Sequence, residues 1–213
     1  MVSIGGTPID RKLISNFFEL NSSIIDLFNH LDRRILEVGG SAYRDKYLPK
    51  SLVTVLLPPV GLYENDFRSP ENPYYFDLNG KSEVKKLSTP KFDFIIATQV
   101  LNFLDDPTNG LENLVSLLNK EGILLLTVAS SHPVSVYDAD RWGDYIRIMP
   151  QGFDRILENF KSEVEIISCE VFGNCALSVA RYVGLSAEEM SSNVWKENDS
   201  THPVVICALL KKR

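Results

Sequence analysis

Two nearly unbroken apolar segments, FDFIIAT at residues 92–98 and ILLLTV at residues 123–128, decide the fold. Strands that are buried on both faces have this character, and they occur in parallel sheets that helices cover. Residues 111–118 (LENLVSLL) lie between the two segments and form a predicted helix. A strand, a helix and a strand in this order predict a doubly wound α/β sheet.

The sequence before and after this unit predicts more strands and helices. Apolar residues recur every three or four positions in residues 13–28 and predict an amphipathic helix, with Pro8 and Asp10 as start signals. We assign residues 1–30 to an N-terminal helical extension and residues 31–213 to one α/β domain. Further strands are predicted at residues 34–38, 53–57, 74–77, 164–171 and 204–210, and further helices at residues 150–160, 174–183 and 186–190.

Composition narrows the classes of function. The chain of 213 residues has a formal net charge of -6 and a pI of about 5.1, which disfavours nucleic acid as a partner. We find no secretory signal and no apolar run of membrane length, and we predict a cytoplasmic protein without a membrane partner. The 3 cysteines and 3 histidines are scattered, which predicts reduced thiols and no metal site.

Four groups of segments carry a resemblance to a known family. They are ILEVGGSAYRDKY (35–47); PYYFDLNG (73–80); FDFIIATQVLNFLDDP and LLNKEGILLLTVAS (92–107, 117–130); and YDADRWGDYIRIMPQGF, FGNCALSVARYVGLSAEEM and HPVVICALLKK (137–153, 172–190, 202–212). In this order they resemble class I S-adenosylmethionine-dependent methyltransferases, most closely a group associated with sugar and glycosyltransferase gene clusters. The resemblance implies a Rossmann-like methyltransferase fold, a mostly parallel seven-stranded sheet with helices on both faces.

The first of these segments is the expected cofactor turn. Glycine permits close backbone approach to a ligand, and the free N–H groups at the start of a helix favour a carboxylate. The resemblance implies that Glu37 accepts hydrogen bonds from the ammonium group of S-adenosylmethionine and that Gly39, Gly40 and Ser41 approach the cofactor. A Gly-Gly pair after a strand can equally be a plain tight turn.

The second predicted strand lacks an expected acid. In this fold a carboxylate at that place binds both ribose hydroxyls, but residues 52–57 read LVTVLL. The cofactor motifs are therefore degenerate, and each lost charge-assisted hydrogen bond would weaken cofactor binding by about 1.5–3 kcal/mol. Either another acid replaces the missing one or cofactor binding is lost. Glu64 and Asp66 are candidate replacements.

Three more residues are expected at the cofactor. By resemblance, Asp77 accepts a hydrogen bond from the adenine amino group and Leu78 contacts the base, although Asp77 could instead be an acid that caps a helix or ends a strand. Gln99 follows the fourth predicted strand, at the edge of a parallel sheet where ligands bind.

The segment after the fifth predicted strand should cover the acceptor. His132 is the candidate general base because the ordinary pKa of histidine lies near neutral pH; a surface or capping histidine is the alternative. Asp138, Asp140, Trp142, Tyr145 and Arg147 are candidate substrate ligands. The alternative for this segment is structural, with Asp144 pairing with Arg141 or Arg147 and Trp142 packing beneath the loop.

Three functions remain open at this level. The first is a methyltransferase that acts on oxygen or nitrogen of a small molecule, a carbohydrate or secondary metabolite. The second is a protein of the same fold that has lost methyl transfer, such as a cyclase or isomerase. The third is a non-catalytic partner that binds another protein through residues 13–28; a homodimer is compatible with any of the three.

Overall fold

A computed structural model describes residues 7–28, 33–39, 43–47, 53–57, 73–75, 77–80 and 91–213. Within them the chain forms one mixed sheet in the strand order β3-β2-β1-β4-β5-β7-β6. The seven strands are β1 (Ile35–Val38), β2 (Val53–Leu57), β3 (Pro73–Tyr75), β4 (Phe92–Thr98), β5 (Leu118–Ala129), β6 (Val164–Phe172) and β7 (Val205–Lys212).

The direction of the strands changes at one end of the sheet. Strands β3, β2, β1, β4 and β5 are parallel, whereas β7 runs antiparallel to both β5 and β6. Parallel neighbours require crossover connections, and helices supply them on the faces of the sheet. The α-helices are α1 (Pro8–Leu20), α2 (Ser22–Ile25), α3 (Arg44–Tyr47), α4 (Pro107–Leu117), α5 (Val136–Ala139), α6 (Pro150–Glu158) and α7 (Cys175–Tyr182).

Alternate residues of the central strands enter two different hydrophobic clusters. In β4, Ile95 faces the cluster that contains residues of α4 and α6, whereas Phe94 and Ile96 face the cluster that contains residues of α1 and α7. Successive side chains of a strand point to opposite faces, so both faces of the sheet are covered. This burial explains why β4 and β5 read as continuous apolar segments.

Helix α1 is part of the second cluster. Thr7 and Asp10 form a capping box at its start, Pro8 takes the first helical position, and the helix ends at Asn21. Its apolar side chains Ile9, Leu13, Ile14, Phe17 and Phe18 are all buried. The apolar stripe of α1, which an N-terminal docking function would use, is therefore occupied by the chain's own core.

Most predicted elements are confirmed with small shifts at their ends. The predicted α/β fold is present, and β2 and β4 have the predicted bounds. The strand predicted at residues 123–128 begins earlier, at Leu118, and the helix predicted at residues 186–190 is a short 3-10 turn at Ala187–Glu189. No helix of the described residues has both the length and the apolar composition that crossing a membrane requires.

Candidate functional site

Three strands end side by side at the edge where a ligand is expected. Val38 pairs with Ala97, and Thr98 pairs with Thr127, so the carboxyl ends of β1, β4 and β5 share one edge. The chain proceeds outward in opposite directions from β1 and β4, which makes this the switch point of the sheet. Open α/β sheets bind ligands in the crevice at such a point.

The turn after β1 has the conformation that a close ligand approach requires. Gly39 has φ +81°, and a Cβ at this position would meet no atom within 4 Å. The buried Glu37 side chain accepts a hydrogen bond from the Tyr43 backbone N–H at 3.1 Å and so spans the turn. Gly40 and Ser41 lie outside the described residues.

Gln99 is held in an unusual conformation directly after β4. Its φ of +53° is uncommon for a residue other than glycine, and its backbone N–H donates to the carbonyl and the hydroxyl of Thr127. The residue is 3% exposed, yet among the described residues its side-chain amide nitrogen has no hydrogen-bond partner. Backbone strain and a buried unpaired polar group are features that cluster at functional sites.

Asp77 and Leu78 lie in a turn after β3. The Asp77 carboxylate accepts a hydrogen bond from the Asn79 N–H at 2.9 Å, and the Leu78 carbonyl accepts one from the Asn113 side chain at 2.6 Å. These bonds fix the turn against α4. The local role of Asp77 agrees with the structural alternative, and its contact with adenine stays a prediction.

A cavity of about 200 Å³ lies beyond the ends of β4 and β5. It brings together four residues predicted from the sequence, namely Gln99, His132, Asp138 and Arg147. Its other lining residues are Thr7, Asn102, Phe103, Ser135 and Asp144.

Arg147 forms the fixed wall of this cavity. Its guanidinium makes a bidentate pair with Asp144, at 2.5 and 2.7 Å, and donates to the carbonyls of His132, Pro133 and Ile146. Burial opposes ionisation of Asp144, but hydrogen bonds from Arg147 and from the Ser135 N–H outweigh it and lower the pKa of that carboxyl. The structural alternative for Asp144 is therefore what the structure shows.

Asp138 also lines the cavity, and its pKa shifts in the opposite direction from that of Asp144. It accepts a 2.5 Å hydrogen bond from the hydroxyl of Ser135, which also caps α5. Burial raises the pKa of the Asp138 carboxyl, and the Asp144 charge adds to this effect. The carboxyl thus remains available as a partner for a ligand hydroxyl or amine.

The other predicted substrate ligands are not among the residues that line the cavity. Trp142 packs edge-on against the lining residue Phe103, with ring centroids 6.4 Å apart. Asp140 and Tyr145 are exposed, and the Tyr145 backbone N–H donates to the Asn102 carbonyl. Their binding roles stay predictions, while their observed contacts are structural.

His132 is mostly buried in the cavity wall and has one basic nitrogen. Its Nδ1 makes a close contact with the Pro133 carbonyl, and a carbonyl has no proton to donate, so Nδ1 carries the hydrogen. Nε2 then holds the lone pair. Burial and the Arg181 charge lower the pKa of His132, which keeps the imidazole neutral and able to accept a proton at pH 7.

Sequence reasoning missed several lining residues for a physical reason. Thr7 carries a helix-start signal, but nothing local shows that α1 begins beside the end of β5. Asn102 follows Gln99 in a short 3-10 turn at Leu101–Phe103, and its apolar neighbours suggest pocket wall or core packing there. The position of Asn102 after a predicted parallel strand is the one available signal.

No protein-family model matches the chain, and no curated protein matches its sequence. Solved structures do have similar folds. They include the CurJ carbon methyltransferase (TM-score 0.51, 14% identity, covering 91% of this chain and 53% of CurJ). A second is the N-methyltransferase NodS from Bradyrhizobium japonicum WM9 in complex with S-adenosyl-L-homocysteine (TM-score 0.51, 13% identity, covering 97% and 88%). A third is the 4+2 cyclase SpnF (TM-score 0.50, 15% identity, covering 99% and 98%).

At these identities the likeness establishes the fold alone. The chain spans about half the length of the CurJ structure and nearly all of NodS and SpnF. It therefore has the α/β fold of S-adenosylmethionine-dependent methyltransferases, a fold that also supports a cyclase.

Proposed function

We propose that this protein is an S-adenosylmethionine-dependent methyltransferase that acts on oxygen or nitrogen of a small polar molecule, a carbohydrate or secondary metabolite. One observation carries the proposal. At the switch point of a methyltransferase-like sheet, a cavity of about 200 Å³ is lined by both the neutral His132 and the buried, unpaired amide of Gln99.

The residues present at the switch point fit the proposed cofactor. Gly39 gives backbone access, Glu37 supplies a carboxylate for the ammonium group, and Gln99 offers an amide donor without a partner in the described structure. When bound, S-adenosylmethionine supplies an electrophilic methyl group. The chain itself has only to align the acceptor and remove its proton.

The cavity chemistry favours a small, neutral or weakly basic acceptor. Ligand pockets for drug-sized molecules are roughly 300–1,000 Å³, larger than this cavity. The Arg147 guanidinium is already neutralised by Asp144, so it is a poor anchor for an acidic substrate. Asp138 and the side-chain carbonyl oxygen of Asn102, which has no hydrogen-bond partner among the described residues, can accept hydrogen bonds from hydroxyl or amine groups. His132 Nε2 takes the acceptor proton.

Titration of the purified protein with S-adenosylhomocysteine by calorimetry tests the proposed cofactor. We expect a dissociation constant in the micromolar range, because the glycine turn and Glu37 remain although the ribose-binding acid is absent. The variant Leu56→Asp returns an acid to β2 and should tighten binding by about tenfold or more, the equivalent of one charge-assisted hydrogen bond.

The control for Leu56→Asp is its thermal melting, since an acid in a strand could also unfold the protein. A folded variant with unchanged affinity would show that the ribose site lies elsewhere. Absence of heat with the parent protein at millimolar S-adenosylhomocysteine would overturn the proposal.

Gln99→Met tests whether the unpaired amide serves a ligand. The substitution nearly preserves side-chain shape and removes a buried polar group, so we expect the free energy of unfolding to be unchanged or raised. Affinity for S-adenosylhomocysteine should fall about tenfold, as expected for one lost hydrogen bond. Urea unfolding and calorimetry measure the two effects; lower stability with full affinity would mean that the amide has a structural partner.

A second candidate function is a methyltransferase-fold protein without methyl transfer. The absence of an acid in residues 52–57 favours it, and SpnF demonstrates a cyclase with this fold. It predicts little or no binding of S-adenosylhomocysteine together with an intact acceptor cavity. The calorimetric titration therefore separates the two candidates.

A further inference from the structure

We propose that Asp10 of helix α1 is a positioning residue of the acceptor site, which holds Thr7 and His132 in the cavity wall and stabilises His132 when it takes a proton. The inference rests on the proposed function. It makes α1 part of the site, although the sequence assigns residues 1–30 to an extension outside the α/β domain.

Asp10 is fully buried, and one of its oxygens collects several donors. Oδ2 accepts hydrogen bonds from the Thr7 backbone N–H at 2.7 Å and from the Thr7 hydroxyl at 3.0 Å. It also accepts one from Nη2 of Arg181 at 2.7 Å. Thr7 lines the cavity, so Asp10 fixes one cavity residue through two bonds.

Arg181 of α7 links Asp10 to a distant part of the chain. The side chains of Asp10 and Arg181 are both 0% exposed, and they join residues 171 positions apart. Removal of either partner would leave the other buried side chain without its counter-charge. The ion pair therefore places a buried carboxylate and a buried guanidinium next to the cavity residue Thr7.

His132 lies near the same carboxylate oxygen. Its Nε2 lies 3.8 Å from Oδ2 of Asp10, and its Nδ1 is occupied by the Pro133 carbonyl. A proton accepted from the substrate must go to Nε2, where the new positive charge faces Asp10. Asp10 thereby favours the imidazolium, while Arg181 and Arg147 oppose it.

The charged groups around His132 come from three parts of the fold. Asp10 belongs to α1, Arg181 to α7, and Arg147 and Asp138 to the segment after β5. Substitution of Asp10 and substitution of Arg181 should therefore shift the titration of His132 in opposite directions. If Asp10 and Arg181 only hold α1 against α7, both variants should lose stability. They should then not shift the titration of His132 in opposite directions.

An NMR titration of the histidine ring protons tests the inference on the protein alone. The chain has 3 histidines, and the resonance missing from His132→Gln identifies His132. We expect the His132 midpoint to move to lower pH in Asp10→Asn, to higher pH in Arg181→Met, and to an intermediate pH in the double variant. The double variant removes both buried charges and protects the test against unfolding of a single variant.

Glu158→Gln, which removes an exposed ion pair with Arg155, is the matched control and should leave the midpoint unchanged. In an assay of methyl transfer, Asp10→Asn should lower kcat about tenfold with little change in KM. An unmoved His132 midpoint in Asp10→Asn, or equal midpoints in Arg181→Met and in the double variant, would overturn the inference. Calorimetry with S-adenosylhomocysteine reports separately on the proposed function, so either failure can be recognised.

Discussion

We expect His132→Gln to lower kcat/KM for methyl transfer at pH 7 by about 100-fold to 10,000-fold, the usual contribution of a general base. Glutamine can still donate to the Pro133 carbonyl, so the loop keeps its anchor, but it cannot accept the substrate proton. The assay follows release of S-adenosylhomocysteine with the most active member of a panel of neutral sugars and amines.

The direction of the pKa shift of His132 predicts how the activity of the parent protein depends on pH. His132 must be neutral to act, and burial together with Arg181 lowers its pKa below the ordinary 6.5. Activity should therefore persist below pH 6.5 and fall only as the pH drops through the lowered value. In His132→Gln, the fall of activity at low pH should be absent. His202→Gln, at an exposed histidine paired with Asp199, is the control; equal effects of the two substitutions would exclude His132 as the base.

Arg147→Met should lower the free energy of unfolding by about 3 kcal/mol. The Asp144 side chain is 1% exposed, and loss of its bidentate partner leaves a buried carboxylate without its main counter-charge. The carbonyls of His132 and Pro133 lose their donor at the same time. Since these groups form the cavity wall, binding of any acceptor should weaken in parallel.

Arg155→Met provides the matched control for urea unfolding. Arg155 pairs with Glu158 at the same i,i+3 spacing, but the two side chains are 82% and 43% exposed. Exposed pairs contribute roughly 0–1 kcal/mol, so this variant should be nearly as stable as the parent. A loss in Arg147→Met no larger than that in Arg155→Met would mean that the wall does not depend on the buried pair.

The elements of the fold could be predicted because their signals are local. The continuous apolar segments of β4 and β5 reflect burial on both faces, and the Thr7-Pro8-Ile9-Asp10 start of α1 carries its own capping chemistry. The ends of the helices and strands could be predicted less accurately than their presence. Strand β5 begins at Leu118 because pairing with Phe92 extends it beyond the apolar segment, and that pairing is a contact between strands.

The site was predicted only in part for a related reason. Residues that follow the ends of parallel strands, such as Gln99 and His132, could be assigned to the crevice from topology alone. From the sequence, Asp138, Asp140, Trp142, Tyr145 and Arg147 are candidate substrate ligands, with a structural role as the alternative. Packing then separated them: Asp138 and Arg147 face the cavity, whereas Trp142 packs against Phe103 and Tyr145 is exposed.

The sequence by itself determined the α/β class, the order of most elements and the absence of an acid in residues 52–57, because periodicity, caps and residue identity are local properties. Only the tertiary structure decided that the start of α1, at Thr7, lines the cavity. The contacts between Asp10, Arg181 and His132 join positions that lie far apart in the chain. Such contacts form only when the sheet brings α1, α7 and the end of β5 together, and no pattern in any one segment encodes them.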